Sequence, residues 1–402
     1  MQSAIPPLRP DQGPRFLLYS HDSVGLGHVR RNLELARALC SQIEGSSALL
    51  VTGSPCATQF AVPEGVDLVK LPAITKDKRG EYVTRSLRME RERVVALRRE
   101  LLLASFRVFD PDLVLIDHQI TGLLDEASLL LGEARERGVR TALGLRDIVD
   151  EPGRVARDLD RKGVRETLLA YDHVFVYGDE RVFDPRVEYN LPEEVNERLE
   201  FTGYVVRQTP RWSVRPVPRL QPQVLLTVGG GQDGADRVEL WLEALESGPV
   251  DWESTIVLGP LYDERRARSV KRRARALDGV RVHRFHAELP RLFADADLVV
   301  SMAGYNTAAE ILESGVPSVL LPRTWPRREQ ELRAERLQSL GHARSMKRPT
   351  PSSLREVVSD SLRSPAKPNC DLSLRGAHRL AQRVADHLQA TSLLANAHGA
   401  IS

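Results

Sequence analysis

Residues 16–39 read FLLYSHDSVGLGHVRRNLELARAL. The apolar run 16–19 is strand-like, and Gly25, Gly27 and His28 lead from it into an amphipathic helix. A strand, a glycine turn and a helix in that order open a parallel α/β sheet. Glycines at the mouth of a helix let backbone N–H groups approach an anion where the helix dipole favours it. A histidine is the side chain type best suited to proton transfer near neutral pH, so His28 is a candidate general base. A tight turn with a helix-capping histidine accounts for the same residues, and both readings stand on this loop. No third glycine follows at the helix-packing position, so a dinucleotide fingerprint is a poor match.

The same unit recurs along the chain. Short apolar runs predict strands at 16–20, 48–52, 113–117, 140–145, 173–177 and 199–202. Helical periods fall at 28–42, 85–109, 122–137 and 154–170. The stretch PRWSVRPVPRLQPQ, residues 210–223, then interrupts the pattern with four prolines and reads as a stiff linker. Beyond it VLLTVGGGQDG restarts the cycle. Further strands are expected at 223–228, 254–258, 280–283, 298–301 and 317–321, with helices at 235–247, 264–277, 288–294, 304–314 and 327–340. The expectation is an α/β chain of two Rossmann-like domains whose parallel sheets face across a cleft. A tail covers 1–14, the first domain 15–209, the linker 210–223 and the second domain 224–373. A final amphipathic helix and tail, 374–402, is expected to cross back to the first domain.

The bulk numbers fit that picture. The chain has 402 residues, enough for about two domains. It is 42% hydrophobic and 28% charged with a net charge of +2, which gives no reason to expect a nucleic-acid partner. Arg far outnumbers Lys, which suits phosphate recognition and equally reflects a GC-rich genome. Cys40, Cys56 and Cys370 show no pair spacing, so neither a disulfide framework nor a zinc site is expected, and a reducing cytoplasm is the simplest setting. The proline-rich start has no apolar signal core, and no apolar run is long enough for a membrane span.

In open parallel sheets, ligands bind at the carboxyl ends of strands. TVGGGQDGADRV, residues 227–238, is a phosphate cradle by that rule, with Gly230 and Gly231 in the turn and Gln232 as a polar contact. It lacks the Gly-Lys-Ser/Thr of a P-loop. A third loop lies in SMAGYNTAAEILESGVPSVLLPRTWPRREQELRAERLQSLG, residues 301–341. Ser301 ends a strand, and Gly304, Asn306 and Thr307 open a helix that can receive an anion. Glu310 stands four residues after Asn306 on the same face, where a carboxylate suits the two hydroxyls of a ribose. A solvated helix charge explains Glu310 equally simply. After the next strand come Arg323, Arg327, Glu329 and Gln330.

GLGH near the start, GGGQDG after the linker and AGYNTAAE…GVPSVLLPR…EQ together resemble the MurG-like glycosyltransferases, family 28, of the GT-B fold. LGLRDIVDEP (143–152), VYGDERVFDP (176–185) and FTGYVVR (201–207) extend the likeness to a bacterial group of predicted glycosyltransferases, covering about 16–345. The resemblance implies that the second domain binds a nucleotide-diphosphate sugar, with UDP the family default. It makes Glu310 the ribose-binding glutamate and Gly230, Gly231 and Gln232 the diphosphate loop. Ser301, Gly304 and Asn306 fall beside the phosphates or sugar, Gln330 and Glu329 at the donor sugar, and Phe285 and His286 at the base. The first domain would hold the acceptor, with His28 facing it. The family carries an extra glycine in its first loop, G-x-G-G-H, where this chain has Gly25-Leu26-Gly27-His28. No apolar patch of the kind that meets a lipid acceptor stands out, so the acceptor stays open among lipid, glycan, small natural product and macromolecule, as does a peripheral membrane contact.

The expected reaction is an inverting glycosyl transfer that needs no metal and no cofactor. His28 is the first candidate for the base and Asp117, at the end of the strand LVLID, the second. A buried structural role fits Asp117 equally well. Arg207 or Arg323 would help the glycine amides and helix N-termini stabilise the leaving diphosphate. Arg146 either pairs with Asp147 or lines the acceptor side. Two other readings share the features: a nucleotide-sugar 2-epimerase of the same fold, and a non-catalytic nucleotide-sugar binding protein.

Overall fold

The computed structural model describes residues 13–21, 27–77, 81–207, 219–286 and 289–399, and the side chains up to 390. Gly25 and most of the proline-rich stretch 210–223 lie outside the described residues. By its internal packing the chain divides into two compact units. The first holds residues up to Glu180, Asp184–Val205 and Arg375–Ser402; the second holds Arg181–Phe183 and Val206–Leu374.

The first unit is built on a seven-stranded sheet, ordered β3-β2-β1-β6-β7-β8-β9. Its strands are β1 (Arg15–Ser20), β2 (Ser47–Thr52), β3 (Val66–Lys70), β6 (Leu113–Asp117), β7 (Arg140–Arg146), β8 (His173–Tyr177) and β9 (Leu199–Phe201). Every neighbouring pair is parallel. β4 (Ile74–Lys76) and β5 (Tyr82–Thr84) form a small antiparallel ribbon. Residues 16–19 of β1 and all of β6 are buried, as strands covered on both faces must be. The helices are α1 (Gly27–Gln42), α2 (Arg91–Phe109), α3 (Ser128–Glu136), α4 (Pro152–Leu159), α5 (Val164–Ala170), α6 (Pro185–Glu188) and α7 (Glu193–Asn196). Along α1 the buried residues Val29, Leu33, Ala36 and Leu39 repeat at helical spacing, and this face meets the sheet.

The second unit repeats the plan with six strands ordered β12-β11-β10-β13-β14-β15. They are β10 (Gln223–Thr227), β11 (Glu253–Val257), β12 (Val280–His283), β13 (Leu298–Ser301), β14 (Ser318–Leu320) and β15 (Arg344–Ser345). Helices α8 (Ala235–Glu246), α9 (Glu264–Ala274), α10 (Leu289–Asp295), α11 (Tyr305–Ser314), α12 (Glu329–Ser339) and α13 (Pro351–Arg363) surround them. Trp241 of α8 is buried in this core, and its indole N–H donates to Ser254 Oγ at 2.9 Å. The last helix, α14 (Gly376–Gly399), belongs to the first unit and packs on α1. Its start is held by the Gly376 N–H, which donates to Tyr204 O at 2.9 Å.

The elements differ from the sequence reading at several places, each for a local reason. The helix expected over 154–170 is two helices, because Gly163 sits at φ +80 between them. The one expected over 122–137 starts at Ser128, after a left-handed turn at Leu124 and Asp125. The one expected over 85–109 starts at Arg91. β3, the β4–β5 ribbon and α13 were not expected. β3 is a half-buried edge strand whose VDLVK shows only a short alternation. α13 is announced by Thr350, which caps the helix in a reciprocal pair with Ser353, and by Pro351 in its first turn.

The strand orders fix where ligands can bind. In the first sheet the chain turns one way from β1 to β2 and the other way to β6. In the second it does the same at β10, between β11 and β13. Each pair, β1–β6 and β10–β13, is a topological switch point, and the carboxyl ends of such a pair are where open parallel sheets bind ligands.

Candidate functional site

The β1–β6 switch point carries a buried charge cluster. Register pairs Ser20 with Asp117, so Asp117 ends β6 beside the carboxyl end of β1. Asp117 is fully buried. His28, in the first turn of α1, places Nδ1 2.5 Å from Asp117 Oδ2. Arg31 lies one turn further along the same face, and its Nη2 donates to both carboxylate oxygens at 2.8 Å. Its Nε donates to Oδ1 at 3.2 Å. Burial alone would raise the Asp117 pKa, but Arg31 and His28 outweigh it and hold the carboxyl well below the usual range. An ionised carboxylate only accepts, so His28 Nδ1 is the donor in this contact, and Arg31 Nη2 lies 2.8 Å from the same nitrogen.

Two further imidazoles border His28. Its ring centroid is 4.3 Å from that of His21 and 5.5 Å from that of His118. Burial, with the positive groups around them, lowers both pKa values well below the ordinary histidine value. His118 holds a left-handed backbone, φ +68, immediately after Asp117. A bulky residue in that region is uncommon and stores strain at a strand end. Arg146, at the end of β7, donates from Nη2 to His118 Nε2 at 2.9 Å. Asp147 beside it accepts from the Tyr204 hydroxyl at 3.0 Å. Gly144 explains the packing below. A Cβ there would lie 1.8 Å from the Tyr177 hydroxyl, and the Tyr177 ring in turn sits 5.4 Å under the Arg31 guanidinium. His21, His28 and Asp117 have the donor types of a metal site, but the Arg31 guanidinium already occupies both Asp117 oxygens.

The β10–β13 switch point is made of backbone instead. Register pairs Thr227 with Ser301, so the glycine loop after β10 and the AGYN turn after β13 leave the sheet side by side. A Cβ on Gly229 would touch Thr307 Oγ1 at 3.4 Å. Gly231 holds φ +88 and packs so tightly on the next loop that a Cβ would lie 2.3 Å from Leu258 O. Gly230 and Gly304 face open space, with no atom within 4 Å of an added Cβ. Gly304 immediately precedes α11, whose first amides have no partner within the helix.

Side chains ring this opening. Asn306 and Thr307 are half-buried in the first turn of α11, and Glu310 one turn on is buried, so it is not a solvated helix charge. Ser301 is buried and donates to Met302 O. Gln232 is exposed. Arg323 Nη2 donates to Glu329 Oε1 at 2.7 Å, its Nη1 pairs with Asp233, and its backbone N–H donates to Gln330 Oε1 at 3.2 Å. Thus Arg323, Glu329 and Gln330 form one group tied to the glycine loop through Asp233. Phe285, exposed, and His286 follow β12, two strands along from β10. The sequence reading missed Arg333, which is fully buried and donates to Ala303 O at 2.8 Å, bracing the AGYN turn.

A cavity of about 420 Å³ opens elsewhere, lined by Arg140, Asp172 and Arg198 among others. It lies where β7 and β8 begin, the opposite end of the first sheet from Asp117, and it is not at the ligand-binding end that the topology defines.

The chain aligns over 95% of its length with the crystal structure of a kitacinnamycin glycotransferase, at 19% identity and a TM-score of 0.61, covering 100% of that chain. It aligns over 94% with Acinetobacter baumannii MurG, at 16% identity and a TM-score of 0.57, covering 99% of that chain. The fold is GT-B, two Rossmann-like α/β units. Residues 225–384 match the glycosyltransferase family 28 C-terminal domain. Curated relatives from Exiguobacterium sp. (28% identical over 194 residues) and Halorhodospira halophila (32% over 172) are named UDP-N-acetylglucosamine--N-acetylmuramyl-(pentapeptide) pyrophosphoryl-undecaprenol N-acetylglucosamine transferases. The matches cover 47% and 41% of this chain, and the chain spans about half the length of those relatives, 49% and 47%. The second unit is thus similar to the family 28 C-terminal domain, and the whole chain shares its fold with glycosyltransferases that include a MurG. Among the described residues no helix is long and apolar enough to cross a membrane.

Proposed function

We propose that this protein transfers a sugar from a nucleoside-diphosphate sugar, with UDP as the nucleotide, to an acceptor hydroxyl, with inversion and without a metal. The observation that carries this reading is the His28–Asp117–Arg31 cluster at one switch point of a chain whose other switch point lies in a family 28 domain. In the reaction, the acceptor oxygen attacks the anomeric carbon while His28 Nε2 takes its proton. The bond from that carbon to the diphosphate oxygen breaks, and UDP leaves with the electron pair. His28 becomes an imidazolium, and Asp117 stabilises it and fixes its tautomer, an orienting role rather than that of the base. Arg31 keeps Asp117 ionised throughout.

In the second unit, amides at Gly230 and Gly304, with Asn306 and Thr307, hold the diphosphate, Gly231 shapes the loop with its N–H donating to Val228 O at 3.2 Å, and the α11 dipole favours the charge. Glu310 accepts from the ribose hydroxyls. Gln330 and Glu329, braced by Arg323, face the sugar, Gln232 the phosphates, and Phe285 and His286 the base. Gly27 and Arg146 border the acceptor.

The test is a thermal-shift panel of UDP, GDP, dTDP, ADP and NAD on wild type and Glu310→Ala. A ligand that binds only the native state raises Tm. The reading expects UDP to give the largest rise and Glu310→Ala to reduce it. A response to NAD alone, or none to any diphosphonucleotide, contradicts it.

A further inference from the structure

A second cluster of ligating side chains lies within the first unit, away from the β1–β6 switch point. Glu200 of β9 pairs in register with Phe175 of β8. His173 stands two residues before Phe175, so strand alternation puts His173 and Glu200 on one face. α14 covers that face. Arg383 and His387 are four residues apart on it, one helical turn, and both reach Glu200. His387 Nε2 is 3.1 Å from Oε1 and Arg383 Nε is 3.2 Å from Oε2. The His173 and His387 rings stack with centroids 4.0 Å apart. One ligand atom from each of His173, Glu200 and His387 lies within 4.8 Å of the other two.

We propose that His173, Glu200 and His387 bind a zinc ion that pins α14 to the edge of the first sheet. Two imidazole nitrogens and one carboxylate oxygen are a donor set for zinc rather than for magnesium or calcium, which take oxygen. Tetrahedral bonds of about 2.0–2.2 Å put ligand atoms about 3.3 Å apart. To ligate, the stacked His173 and His387 rings turn so that one nitrogen of each faces a common point beside Glu200 Oε1, and water fills the fourth position. Arg383 holds the far carboxylate oxygen and leaves Oε1 to the metal, as an outer partner that orients a ligand does. Arg140 faces His173, and its charge is met by Asp172 at 3.2 Å. This cluster differs from the one at Asp117, where a guanidinium is already the cation. The proposal does not depend on the transferase reading.

The competing account is a metal-free ion pair, His387 to Glu200, with stacked histidines. The experiment strips the full-length protein with EDTA and titrates zinc chloride by calorimetry. Tm is followed in parallel, and cobalt(II) chloride reports coordination by its visible absorption. The expected result is one zinc per chain lost in His173→Gln and His387→Gln, each weakening it at least about tenfold. It also includes a rise in Tm with zinc and cobalt absorption of tetrahedral form. His21→Gln, at the other cluster, keeps this zinc. Circular dichroism checks that each variant is folded. No zinc uptake by the wild type overturns the proposal without recourse to any variant, as does uptake that survives in folded His173→Gln/His387→Gln.

Discussion

The two switch points share a topology and differ in material. At β1–β6 the working groups are side chains: an imidazole, a carboxylate and a guanidinium, mostly buried and joined by contacts of 2.5–3.2 Å. At β10–β13 they are backbone: Gly230 and Gly304, each with open space where a side chain would stand, the latter at the start of a helix. A side-chain cluster can shift a pKa and move a proton. A backbone cradle cannot titrate, but it holds an anion without reorganising. One fold used twice thus yields one site suited to chemistry and another suited to binding.

Substitutions break this contrast in graded ways. The largest effect is expected at His28. His28→Gln should lower kcat by about 100- to 10,000-fold, the usual contribution of a general base, while UDP affinity stays within about twofold. Steady-state turnover beside calorimetric binding checks both. Asp117→Ala should lose about 3–5 kcal/mol of stability in urea unfolding, because Arg31 is left buried without its partner. Next comes a pair in the cradle. Gly230→Ala has room in the fold but fills the anion space, so it should weaken UDP by about 10- to 100-fold with little change in Tm. Gly231→Ala, with its φ of +88 and a carbonyl 2.3 Å away, should lower Tm directly. Gly144→Ala should cost about 1–3 kcal/mol by pushing Tyr177 from beneath Arg31, seen as a lower urea midpoint.

The smallest effect is in pH. His21 and His118 have pKa values lowered in the folded state, so the unfolded chain binds more protons as pH falls through about 6.5. Their contribution is present above that value and is lost below it. Stability should therefore decline from pH 7 toward pH 5, and His118→Gln should flatten the decline. Asp117, lowered as well, should add no pH dependence across that range, because its contribution falls away only in stronger acid.

Much of this frame was legible from sequence. The buried runs at 16–20 and 113–117 are strongly apolar, and glycines follow the first strand of each half in the sequence, so the repeated strand-to-helix unit could be read directly. His28 and Asp117 stood out because each sits at an element end. Arg31 did not, since a buried arginine on an amphipathic helix looks like an ordinary surface charge. Its partner is 86 residues away and is identified only when β6 is known to lie beside β1. His118 shares that strand end with Asp117 and was legible in the sequence, whereas the approach of His21 to the cluster was not. The zinc ligands come from two strands and a distant helix with no spacing that a motif could record. Gly163 and the Thr350–Pro351 pair were readable signals that went unused, and each marks a helix boundary the sequence reading missed.

The most direct test of the division of labour is calorimetric titration of UDP into wild type, His28→Gln and Gly230→Ala. The account predicts that His28→Gln binds as the wild type does and that Gly230→Ala binds at least about tenfold more weakly. If His28→Gln loses UDP as severely as Gly230→Ala, or Gly230→Ala binds normally, the assignment of chemistry to one switch point and binding to the other is wrong.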